Sequence, residues 1–143
     1  MEKLKKAKVG IVGSREWQSY RDIKDFVFFL KKEYGDGLTI VSGGQPLGAD
    51  GMAKKAALEL EVNYVEFPPQ HFEYNQYCQN NGVPKYMYNK PYHVRYFFMR
   101  NSQIAEYSDF VVGFIPKGFP SKGTRDTLRK AEKLGKKIII QEK

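Results

Sequence analysis

Gly13-Ser14-Arg15 sets a pliant backbone, a hydroxyl and a guanidinium on three consecutive residues. That combination suits phosphate, because glycine allows a tight turn and arginine can donate two parallel hydrogen bonds to an oxyanion. A second turn runs through Ser42, Gly43, Gly44, Gly48, Ala49 and Asp50. Its paired glycines permit close approach of a ligand or of another backbone, and Asp50 is placed to cap the helix that follows. A third turn, Ser121-Lys122-Gly123-Thr124, offers an amide, a hydroxyl and nearby cations, and its helix-cap reading stays open beside the phosphate one. Each turn follows an apolar run and opens a helical pattern. Unpaired amides at a helix start carry partial positive charge and attract anions. Arg100-Asn101 lies on an otherwise apolar helical stretch, so both must find partners if buried, in the site or within the fold.

Several other chemistries are a poor fit. No Gly-Lys-Ser/Thr follows the second turn, and the first does not match Gly-x-Gly-x-x-Gly, so neither a Walker loop nor a dinucleotide fingerprint is present. His71, Cys78 and His93 form no close ligand pair, so no metal is expected. No Ser-His-Asp constellation stands out, and no cofactor is implied.

The elements that must hold these turns follow from periodicity. Ala7–Val12, Leu38–Val41, Val62–Phe67, Asp109–Ile115 and Lys137–Ile140 read as strands. Tyr20–Tyr34 carries Ile23, Phe26, Val27, Leu30 and Tyr34 at helical spacing. Asp50–Glu61 is alanine-rich and helical, with Met52, Ala53, Ala56, Ala57 and Leu60 on its inner face. His93–Tyr107 and Gly123–Leu134 supply two further helices. Alternation of strand and helix predicts a three-layer α/β sandwich with a mostly parallel sheet of about five strands. The runs Phe110-Val111-Val112 and Ile138-Ile139-Ile140 suit strands covered on both faces. Ligands bind such sheets beyond the carboxyl ends of the strands, where strand order reverses. With the first strand central, the reversal falls between the first and fourth, flanked by Gly13-Ser14-Arg15 and the turn from Pro116 to Thr124. Residues 1–143 read as one domain, interrupted by an irregular Tyr/Asn-rich segment at 68–93. Tyr74 or Tyr86 of that segment offers a ring to stack on a base, or simply packs.

The chain has 143 residues, 41% of them hydrophobic, which fits one folded domain with a substantial core. Net charge of +8 favours phosphorylated or polyanionic partners, although lysines crowded near both ends also make ordinary solvated faces. One cysteine excludes an internal disulfide, and no apolar run is long enough to span a bilayer; a cytoplasmic protein is expected.

Taken together, Gly-Ser-Arg after strand one, Gly-Gly-x(3)-Gly-Ala-Asp after strand two, Arg-Asn before strand four and Gly-Thr-x-Asp opening the next helix resemble the SLOG superfamily. The similarity is greatest to its YspA/YpsA-related group and spans Val9 to Ile140, apart from the Tyr/Asn-rich segment. The resemblance implies a Rossmann-like fold and binding of a nucleotide or nucleotide-derived ligand, such as an ADP-ribose-, NAD- or cyclic-nucleotide-derived signal. The protein would be a sensor or sequestering module, phage- or defence-associated, and a homodimer. Ligand contacts would fall on Gly13, Ser14, Arg15, Ser42, Gly43, Gly44, Gly48, Ala49, Asp50, Arg100, Asn101, Gly123 and Thr124. Two alternatives come with the resemblance. Related phosphoribohydrolases cleave an N-glycosidic bond with an arginine and the glutamate of Pro-Gly-Gly-x-Gly-Thr-x-x-Glu. Here Thr127 occupies the glutamate position, so Arg100 would have to act with Asp126 or Glu106. A branch similar to the DNA-processing protein binds single-stranded nucleic acid.

Overall fold

The structure, a computed structural model, describes residues 6–43, 48–67 and 94–143, with side chains in the last stretch from Met99 onward. The expected irregular segment at 68–93, with Tyr74, Tyr86 and the two histidines, and Gly44 lie outside the described residues.

Five strands, β1 (Ala7–Gly13), β2 (Leu38–Ser42), β3 (Asn63–Glu66), β4 (Phe110–Ile115) and β5 (Lys137–Glu142), form one all-parallel sheet in the order β3-β2-β1-β4-β5. Four helices accompany them among the described residues: α1 (Tyr20–Tyr34), α2 (Ala49–Glu59), α3 (Val94–Tyr107) and α4 (Lys122–Lys133). None is long and apolar enough to cross a membrane.

Alternation along the strands assigns each residue to a layer. Val9 and Ile11 of β1, Ile40 of β2, and Val112 and Phe114 of β4 pack against Ile23, Val27 and Leu30 of α1 and the alanines of α2. Val12, Val41, Val111 and Ile115 pack on the other face against Ile104 and Ala105 of α3 and Leu128 and Ala131 of α4. Each fully buried aliphatic side chain contributes about 1.5–3 kcal/mol, so the two cores hold the helices firmly to the sheet.

Local chemistry sets the helix ends. The Ser19 side chain accepts from the Asp22 amide at 3.3 Å, capping α1, while Asp22 in its first turn and Lys31 and Lys32 in its last complement the helix dipole. On α2, Ala53, Ala56 and Ala57 are fully buried, and their small size lets the helix lie close to β1 and β2.

One expectation about the sheet needs correction. Ile138-Ile139-Ile140 suggested a strand covered on both faces, yet Ile140 is 46% exposed and Ile138 and Ile139 are half-buried. β5 is an edge strand, and the helices centre on β1, β2 and β4. Apolar content alone does not distinguish an edge strand from a central one.

Candidate functional site

The strand order reverses between β1 and β4, and a cavity of about 460 Å³ opens there, beyond the strands' carboxyl ends. Gly13, Ser14 and Arg15 line one wall, Ser121 to Thr124 the opposite wall, and Asp50, Arg100 and Asn101 the interior between them. Thus residues from three separate turns and from α3 share one concavity.

The first turn is built by continuing the sheet. The Ser14 amide donates to the Phe114 carbonyl at 3.1 Å, extending the β1–β4 pairing past Gly13. The Ser14 hydroxyl then accepts from the Glu16 amide at 3.0 Å, turning the chain so that exposed Arg15 reaches the rim.

The second turn docks beneath the first. Gly48 precedes α2 with φ +74°, and a Cβ there would strike the backbone of Ser14 and Arg15. With glycine in place, the Ala49 amide donates to the Ser14 carbonyl at 3.2 Å. This backbone bond takes up one of the free amides of α2 and ties the start of the helix to the first turn. Asp50 does not cap its own helix, contrary to the expectation from its position; among the described residues no side chain caps α2, whose N-cap is Gly48. Asp50 lies one residue inside the helix, where its carboxylate turns toward β1.

Asp50 is buried in the cavity wall, with the Gly13 amide near its carboxyl. Loss of hydration pushes its carboxyl up to about 6, against the opposing pull of Arg100, the Gly13 amide and Arg15. Arg100 is buried beside it. Its Nη1 donates to the Gly43 carbonyl at 3.3 Å and its Nε to Asn101 Oδ1 at 3.0 Å. The guanidinium occupies the space a Cβ on Gly43 would need, and Asp50 Oδ2 lies 3.0 Å from that same point. Glycine at position 43 is therefore what allows an arginine from α3 to reach the carboxylate of α2. Asn101 completes the connection, donating from Nδ2 to the Gly123 carbonyl at 3.2 Å and to Asp126 Oδ2 at 3.3 Å. Arg100 and Asn101 thereby link the second turn to the start of α4.

That start is open. Ser121 adopts the left-handed region, with φ +46°, and its side chain makes no capping bond. The first amides of α4 have no intrahelical acceptor, and Lys122, Gly123 and Thr124, which carry them, line the cavity. Phe119 and Ile104 add apolar surface, Phe119 being 46% exposed at the rim.

The remaining candidates lie apart. Gly43 sits behind Arg100, Gly48 and Ala49 are used in docking α2, and none of the three lines the cavity. The hydroxyl of buried Ser42 bonds Tyr64 Oη at 2.7 Å and the Asp50 carbonyl at 3.4 Å, so it supports Asp50 from below. Asp126 pairs with Lys130 at 2.9 Å and is not in the cavity wall. Glu106 is exposed near the far end of α3. Thr127, where the related hydrolases carry glutamate, lines the cavity and donates to the Gly123 carbonyl at 3.2 Å. Sequence reasoning did not single out Phe119, Glu16 or Ile104. For Phe119 the signal was its place in the turn after β4, the turn expected to flank the crevice. No group of metal-binding side chains occurs among the described residues.

Comparison with solved structures places this architecture among known proteins. The molybdenum cofactor binding protein from the phototrophic bacterium Rippkaea orientalis is similar over 99% of this chain and 79% of its own, with TM-score 0.67 and 18% identity. The molybdenum cofactor carrier protein from Chlamydomonas reinhardtii is similar over 95% of this chain and 76% of its own, with TM-score 0.59 and 17% identity. At these identities the likeness is one of fold, the SLOG-type Rossmann-like fold. No curated protein matches the chain in sequence. A family model matches residues 1–143 throughout, and the chain belongs to the family of DNA recombination-mediator protein A.

Proposed function

We propose that this protein binds a phosphorylated, nucleotide-like small molecule in the cavity between β1 and β4. The observation that carries the reading is the joining, in one cavity of about 460 Å³, of an uncapped helix start, the Arg15 turn and the exposed ring of Phe119. The volume lies in the range of roughly 300–1,000 Å³ common to small-molecule sites. The amides of Gly123 and Thr124, with Lys122 and Arg15, provide donors and positive charge for a phosphate. Phe119 offers a face on which a heterocycle stacks. The solved neighbours are named for binding a molybdenum cofactor, which supports a small ligand on this fold. ADP-ribose-like and cyclic nucleotide signals are the candidates to test first. Binding rather than hydrolysis is favoured because Thr127 stands in the glutamate position and Asp126 is engaged by Lys130.

Native mass spectrometry of the purified protein is expected to reveal a co-purified nucleotide-like mass. Arg15→Ala should weaken calorimetric binding of that compound about tenfold, by loss of a charge-assisted contact, with an unchanged melting temperature because Arg15 is exposed. An unchanged dissociation constant removes Arg15 from the site. No retained ligand, and no binding of any nucleotide offered, refutes the reading.

A further inference from the structure

We propose that the cavity takes up its anionic ligand together with a proton, which is carried by Asp50. The inference deepens the phosphate-binding reading above and rests on it. Its basis is the meeting of two chain-distant groups over Gly43. The Arg100 guanidinium and the Asp50 carboxyl converge on the point where that glycine lacks a side chain, and both form part of the cavity wall.

A phosphate held between the Arg15 turn and the start of α4 enters the field of Arg100, which the Asp50 carboxylate already faces. Two anions sharing one guanidinium in a buried place repel strongly, because little water screens them. Protonation of Asp50 removes the repulsion and converts an acceptor into an O–H donor for a ligand oxygen. Arg100 cannot swing away without cost, since Gly43 and Asn101 hold it.

Among the described residues, the groups around Asp50 point to the proton's place. Arg100 faces it from α3, Arg15 and the Gly13 amide from the first turn. Tyr64 lies behind it on β3, its phenol pushed up by burial and, in smaller part, by the charges of Glu66 and Asp50. Glu66 is paired with Lys54 at 3.1 Å. Tyr64 stays protonated near neutrality and Arg100 stays charged, so a proton accompanying the ligand goes to Asp50. The carboxyl already sits near 6, within easy reach of protonation at neutral pH.

The test is calorimetry with adenosine 5′-monophosphate and with inorganic sulfate, from pH 5.5 to 8, each in two buffers of different ionisation enthalpy. Sulfate does not titrate in this range, so any proton uptake on binding it belongs to the protein. The expected result is net uptake at pH 7, with affinity for sulfate falling several-fold per pH unit, at most about tenfold for one linked proton. Asp50→Asn should abolish the uptake with sulfate and leave, with the nucleotide, only that of its own phosphate. Absence of uptake by the wild-type protein on binding sulfate overturns the proposal even if the variant fails to fold. Binding of both probes without proton uptake overturns the proposal and leaves the phosphate site standing. Failure of both probes to bind at every pH overturns both.

Discussion

Gly43 and Arg100 show how one missing methyl group can organise a site. The guanidinium rests in the volume that an alanine would fill, and from there it faces Asp50 and bonds the Gly43 carbonyl. Gly43→Ala is therefore expected to displace Arg100 and leave a buried carboxyl without its cation. Leaving buried polar groups without their partners costs about 1–3 kcal/mol each, and more when they are charged. Urea denaturation should register a loss of at least about 2 kcal/mol, allowing for local relaxation. Stability within about 0.5 kcal/mol of wild type would mean that Arg100 is not seated as described. Asn101 is a parallel case. Its side chain ties α3 to the Gly123 carbonyl, so it shapes the anion site through position as well as contact.

The elements meet through their ends. The Ser14 carbonyl takes up the first amide of α2, whereas no side-chain capping bond is made at Ser121 before α4, although both helices begin after glycine-bearing turns. The difference lies in what stands opposite. Gly48 admits the backbone of Ser14 and Arg15 against α2, whereas the cavity stands opposite α4. Gly48→Ala would combine a disfavoured left-handed φ with a backbone clash, and should destabilise the fold by roughly 2–4 kcal/mol while shifting the Arg15 turn. At the start of α4, Ser121 holds φ +46° without using its hydroxyl as a cap. Ser121→Gly should relieve that conformation and raise stability by about 1 kcal/mol. A melting temperature lowered by Ser121→Gly, or untouched by Gly48→Ala, would contradict these roles.

For the whole molecule, the buried carboxyl of Asp50 links stability to pH. Its ordinary value is 3.8 and folding raises it to about 6, so the native state binds the proton more tightly than the unfolded chain. Asp50 thus contributes a term that declines as pH rises from about 4 to about 6 and is level above. The size is on the order of 3 kcal/mol, at 1.36 kcal/mol per pKa unit. Exposed Glu59, lowered first by its hydrogen bond from Lys24, acts in the opposite sense at more acid pH. Subtracting the profile of Asp50→Asn from that of wild type isolates the Asp50 term. A difference that stays level across pH 4–6 would place the carboxyl in a hydrated setting, and one that rises would mean that Arg100 and the Gly13 amide outweigh its burial.

The sequence by itself determined the order of elements, and with β1 taken as central it located the sheet's reversal point. Alternating apolar runs and 3.6-residue periodicities follow directly from what each local segment must bury, and α1 at Tyr20–Tyr34 was legible residue for residue. It also marked Gly13, Arg15, Gly123 and Thr124, because turn chemistry is local. Only the tertiary structure decided the rest. Asp50 looked like a cap until packing of α2 against β1 turned its carboxylate to the Gly13 amide and Arg100. Ser42 and Asp126 looked available until Tyr64 and Lys130 occupied them. Phe119 became part of the wall only when the turn after β4 folded over the crevice. Those outcomes depend on which distant groups arrive beside a residue, and such meetings are set by the packing of helices on a sheet, which no local pattern encodes.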